Sequence, residues 1–170
     1  MQDKLIEIVT SKGDKLVVSL CCNHPYITNV LPEESKYLDI VEICIDRKDG
    51  DSPINIDMLG NLVQIIINEL NEHPEVILYY FCDVNEHIPN MRESRKILPQ
   101  EYRNRLFKSL FNRHYGLLPE PWRDFEIELI DPNTGISYYF HFLVRESQMS
   151  VVESLSKEVA DNFSIIMNGK

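Results

Sequence analysis

Val76-Ile77-Leu78-Tyr79-Tyr80-Phe81-Cys82 is the segment on which the fold turns. Its apolar and aromatic residues run on without alternation, so neither side of a strand built from them would face water. The pattern predicts a strand over 76–82, central in its sheet and covered on both faces. His73-Pro74 precedes it and stops a helix, because proline donates no N–H and disfavours helix in the residue before it. That helix is expected over 55–72. Ile56, Leu59, Val63, Ile66, Ile67 and Leu70 recur at helical spacing, Asn55 is its expected cap, and Met58, Leu62 and Ile65 widen the apolar stripe.

Further towards the amino terminus, residues 3–10 and 15–22 read as a hairpin around Ser11-Lys12-Gly13-Asp14. Leu16, Val18, Leu20 and Cys22 share one face of its second arm. A proline-containing loop from Asn23 to Lys36 leads to a strand near 38–46, where Val41, Ile43 and Ile45 alternate with polar positions. On the other side, Pro99-Gln100-Glu101 opens a helix to about Tyr115, with proline at its first position and an acid at the positive end of the dipole. Phe125, Ile127 and Leu129 alternate with acids, and Asp131-Pro132-Asn133-Thr134-Gly135 is a turn. Ile136, Tyr138, Phe140, Phe142 and Val144 line one face of the return arm, which leaves His141 on the polar face. Ser150-Val151-Val152-Glu153 has the spacing of a capping box and opens a closing helix with Val152, Leu155, Val159, Phe163 and Ile166 inward. The order is βββ-α-β-α-ββ-α. Two hairpins imply antiparallel pairing, so the expected class is α+β, a mostly antiparallel sheet with helices packed on it and only 76–82 open to a parallel neighbour.

The 170 residues suit a single domain, with 44% hydrophobic and 26% charged residues and a net charge of −10. No stretch reads as a secretory signal or a membrane span, and four cysteines inside apolar segments suit a reducing compartment, so a cytoplasmic setting is expected. The closest two of the six glycines stand ten residues apart, which rules out a dinucleotide fingerprint, a P-loop or a nucleophile elbow. The five histidines are never closer than 14 residues and no C-x-x-C occurs, so no local zinc motif exists and no metal or cofactor is implied.

Three places offer chemistry. The exit of the 76–82 strand carries Asp83 and His87, a base and acid pair for catalysis or an ordinary polar loop, followed by Arg92 and Arg95. Residues 91–123 hold eight Lys/Arg against three acids, interleaved with Tyr102, Phe107, Phe111 and Trp122. That is a site for phosphate or nucleic acid, or the polar face of a helix paired with the acidic remainder. The chain's acidity argues against nucleic acid. Cys21-Cys22-Asn23-His24 sets thiols near an imidazole, but adjacent strand residues point to opposite faces.

The strand ending in Cys82-Asp83, with Arg103-Asn104-Arg105-Leu106-Phe107 in the following helix, resembles a family of small bacterial proteins of uncharacterised activity, a domain of unknown function. That family combines an amino-terminal hairpin, an Ile-rich helix, a strand ending in Cys-Asp and a helix with an R-x-R-L-F run. The resemblance spans about residues 1–115 and implies a shared constellation of Asp83, Arg103 and Arg105, with Asp–Arg pairing between strand end and helix. It implies no catalytic residue.

Taken together, the expected function is a non-enzymatic, acidic interaction or regulatory module, antitoxin-like or immunity-like, with a basic protein partner, no membrane, and self-association left open. The alternatives are a small metal- or phosphate-dependent hydrolase using Asp83 and His87 with Arg92, Arg95, Arg103 and Arg105 as ligand-binding groups, and nucleic-acid binding through 91–123.

Overall fold

The structure, a computed structural model, describes residues 2–9, 13, 15–23, 25–29, 31, 33, 37–49, 56–82, 97–114, 116 and 121–163. In chain order the elements are β1 (Lys4–Val9), β2 (Lys15–Cys22), a one-turn α1 (Pro25–Thr28), β3 (Ile40–Asp49), α2 (Ile56–Glu72), β4 (Ile77–Cys82), α3 (Pro99–His114), β5 (Trp122–Ile130), β6 (Ser137–Arg145) and α4 (Met149–Asp161). The strands form one mixed sheet in the order β1-β2-β3-β4-β6-β5. The α+β class and the element order are those expected from the sequence. Among the described residues, the one-turn α1 after β2 and a 3₁₀ turn over Glu146–Gln148 are additions to that order.

β4 lies inside the sheet, parallel to β3 and antiparallel to β6. Its side chains serve two cores. Ile77 and Tyr79 join Ile40, Phe140, Phe142 and Val144 beneath Val152, Leu155 and Val159 of α4. Leu78 and Tyr80 join Val18, Leu20, Val41, Ile43 and Leu143 beneath Met58, Leu62 and Leu70 of α2, with Phe107 and Phe111 of α3 alongside. A run with no polar alternation is the expected signature of such a strand, since both of its faces meet a helix layer.

The β5–β6 turn bears the marks of its residues. Asp131 Oδ1 accepts from the Asn133 N–H at 2.8 Å, Thr134 Oγ donates to Asp131 Oδ2 at 2.7 Å, and Gly135 takes φ +69° to start the return strand. These bonds, the Asn133 N–H first, hold the Asp131 carboxyl below its usual range.

Two local expectations are corrected. α4 begins two residues earlier than the Ser150–Glu153 capping box predicts, at Met149, with Gln148 at its cap position. Gln148 Oε1 instead accepts the Arg145 N–H at 3.0 Å, closing a 3₁₀ turn over Glu146–Gln148 that runs straight into the helix. The turn supplies the first orphan positions, so Ser150 is already helical. His141 is the second correction: it is fully buried, because α3 lies over the β5–β6 face that hairpin alternation alone would leave wet. Asn55 and Ile166 lie outside the described residues.

Candidate functional site

Asp83, His87, Arg92 and Arg95 lie outside the described residues. Cys82, which they follow, is buried at the end of β4. Arg103 and Arg105 both lie on α3, Arg103 half-buried and Arg105 exposed. Two residues apart on a helix they point in different directions, so the fold does not join them into one anion clamp. The basic stretch is partly neutralised within the fold, because Lys108 Nζ sits 2.7 Å from Glu126 Oε2. The bond that Lys108 donates to Glu126 raises its ammonium above the usual range. Arg123 likewise reaches Glu146 at 3.0 Å.

A polar cluster that sequence reasoning missed lies beneath α3. His141 on β6 sits opposite Glu126 on β5 and diagonal to Asp124. Its Nδ1–H donates to Asp124 Oδ1 at 2.7 Å, and its Nε2 lies 3.8 Å from Glu126 Oε2, too far for a hydrogen bond. The Tyr80 ring stacks on the imidazole with centroids 4.4 Å apart, and Phe107 closes over Tyr80 at 5.2 Å. Burial, followed by the nearby Asp124 charge, raises the Tyr80 phenol far above its ordinary value. An acid on Nδ1 is the arrangement that orients a general base. Here the imidazole has no exposure to solvent and one of its faces is stacked, so the pair ties β5 to β6 rather than presenting a base to a substrate. The signal was in the sequence: counting back from the Asp131–Gly135 turn puts His141 opposite Glu126.

The other clusters are equally committed. Lys4 Nζ donates to both oxygens of the buried Glu69 at 2.8 Å and lies 3.8 Å from Glu72. Glu69, Glu72 and His73 are spaced to hold a cation, and the Lys4 ammonium pairs with two of the three, Glu69 and Glu72. The bonds that Lys4 donates to Glu69 raise its ammonium above the usual value. Burial, ahead of nearby acids, raises the thiols of Cys21 and Cys22, which is the wrong direction for a nucleophile. His24 lies outside the described residues. Between α2 and α3 a cavity of about 50 Å³ is lined by Ile43, Leu62, Ile67, Tyr80, Phe107 and Leu110 among others, room for a few water-sized groups.

The sheet has two edge strands, β1 and β5. β1 is terminal, and among the described residues it pairs with β2 alone. Lys4, Ile6 and Ile8 alternate with Leu5, Glu7 and Val9, and the first set turns towards α2. Leu5 is 68% exposed and Val9 57% exposed, with exposed Glu7 between them. Glu7 continues across the sheet in one row with Val17 and exposed Asp46. No helix of the described residues is long and apolar enough to cross a membrane.

No family model, curated protein or solved structure matches this chain.

Proposed function

We propose that this chain is a non-enzymatic docking module for a basic protein partner. The observation that carries the reading is the side of β1 on which Leu5 and Val9 flank Glu7, all three exposed on a terminal strand. Single exposed apolar residues such as Tyr37 or Ile130 are ordinary on a protein surface. Two that share a strand face at a sheet edge make a contact surface, and the acid between them sets the sign of the partner. The net charge of −10 supports the same sign, since it speeds encounter with a basic protein and repels another acidic one. The sealed Asp124–His141 pair and the raised thiols add weight on the side of binding rather than chemistry.

The nucleic-acid alternative loses support because Lys108 and Arg123 are engaged with carboxylates. The resemblance carried by Asp83, Arg103 and Arg105 is compatible with a docking role and transfers no activity.

The test is differential capture from extract of the native host. Wild type and Leu5→Asp/Val9→Asp are compared, retained proteins are identified by mass spectrometry, and contacts are mapped by cross-linking from position 7. The reading requires a partner of high isoelectric point that is lost with the double variant and cross-links at β1. A partner retained equally by both, or one cross-linked elsewhere, removes it.

A further inference from the structure

We propose that the outer edge of β1 accepts an extended segment of the partner as a seventh strand, and that this segment reads apolar–x–basic–x–apolar. The inference rests on the docking reading and specifies how and by what sequence the partner binds.

Alternate residues of a terminal strand direct their N–H and C=O groups away from the sheet, and an incoming strand satisfies them. Sheets usually guard such edges with proline, a bulge or an outward lysine. β1 contains no proline, and among the described residues the register irregularity next to the hairpin lies between β2 and β3, at Lys15/Leu16. Its single lysine, Lys4, points to the helix side and is held by Glu69. The same bond fixes β1 on α2, so the edge is held in shape before anything binds and little ordering cost remains.

The side chains then specify the sequence that fits. Leu5, Glu7 and Val9 occupy positions i, i+2 and i+4 of one face, and cross-strand neighbours lie about 5 Å away. An added strand puts one side chain opposite each. Apolar residues match Leu5 and Val9, and a lysine or arginine matches Glu7, with Asp46 further along the same row. A second copy of this chain fits poorly. Antiparallel pairing of two β1 strands that matches Leu5 with Val9 necessarily sets Glu7 against Glu7. Shifting it by two residues sets Glu7 against Leu5 or Val9 instead. Each copy also brings a charge of −10.

The experiment uses the intact chain and fluorescent peptides repeating Val-Thr-Lys-Thr: one unmodified, and two N-methylated on alternate sets of residues. Strand addition predicts binding of the unmodified peptide and of one methylated version, and loss of the other, because only one set offers its N–H groups to β1. Glu7→Lys should weaken binding roughly threefold to tenfold, and a peptide with glutamate in place of lysine should recover part of it. Equal binding of all three peptides, or binding of folded basic lysozyme in a Glu7-dependent way without any peptide, overturns strand addition and leaves the docking reading in place. Failure of peptides and lysozyme alike overturns both. A concentration-dependent dimer of the free chain in light scattering, lost in Glu7→Lys/Val9→Asp, overturns the choice of partner.

Discussion

Asp124 and His141 are joined across the β5–β6 hairpin, Oδ1 to Nδ1 at 2.7 Å, with the imidazole wholly buried and the carboxylate nearly so. A buried pair of this kind adds little against apolar residues of the same volume, but costs much when one partner is removed alone. Asp124→Ala should therefore lower the unfolding free energy by about 3 kcal/mol, since it leaves an imidazole N–H without an acceptor. Asp124→Leu with His141→Phe should recover most of that loss. Urea denaturation of the three proteins decides it, and a single variant within about 0.5 kcal/mol of wild type would show the pair to be incidental.

Tyr80 gives a contrasting case. Its Oη is buried and makes no hydrogen bond among the described residues, while its ring stacks on His141 and meets Phe107. Tyr80→Phe keeps both ring contacts and removes the orphan hydroxyl. The variant should match wild type or exceed it by up to about 1 kcal/mol in thermal or urea unfolding. Tyr80→Ala should cost about 4 kcal/mol. A large loss in the phenylalanine variant would mean that the hydroxyl has a partner after all.

Stability should fall on the alkaline side. Tyr79 and Tyr80 have phenol pKa values raised first by burial, so above about pH 10 the unfolded chain releases protons that the native one keeps. Lys4 and Lys108 are raised by their bonds to Glu69 and Glu126, so their contributions are complete below the ordinary lysine value of 10.5 and disappear as pH climbs through the folded-state values. All four act in one direction. Unfolding midpoints between pH 8 and 11.5 should decline above about pH 10, and Tyr80→Phe should flatten the decline. A midpoint constant over that range would contradict the burial of these phenols.

Lys4 is the tie between the sheet edge and α2. Lys4→Met leaves the Glu69 carboxylate, whose side chain is only 8% exposed, without its ammonium. The expected cost is about 1–2 kcal/mol, concentrated locally. Amide exchange should quicken in β1 while β4 stays protected. Uniform acceleration through the sheet would place the bond in the global core instead.

Gly135 stands at φ +69° where the β5–β6 turn re-enters the sheet. No neighbouring atom would obstruct a side chain there, so the cost of Gly135→Ala is conformational, about 1 kcal/mol. Gly135→Asn should lose less, because asparagine tolerates the left-handed region. Equal losses would point to something other than the backbone angle.

Much of this architecture was legible along the chain. Six strands and three long helices fell within a few residues of their observed limits, because apolar periodicity and turn chemistry act over neighbouring residues. The unbroken run 76–82 marked β4 as interior for the same reason. The alternation on β5 and β6 was also read correctly, and it set His141 on the face of Asp124 and Glu126, but alternation does not say what lies above each face. The candidate site was less legible still. Asp83, His87, Arg92 and Arg95 remain outside the described residues, and the spacing of Arg103 and Arg105 does not bring them together.

Periodicity by itself determined which residues turn inward and where each element stops, since a strand or helix repeats every two or 3.6 residues whatever surrounds it. The tertiary structure alone decided that β6 would separate β4 from β5, that α3 would seal the Asp124–His141 pair, and that β1 would be left at the rim with Leu5 and Val9 exposed. Exposure is a property of what covers a surface, and the covering elements come from distant parts of the chain.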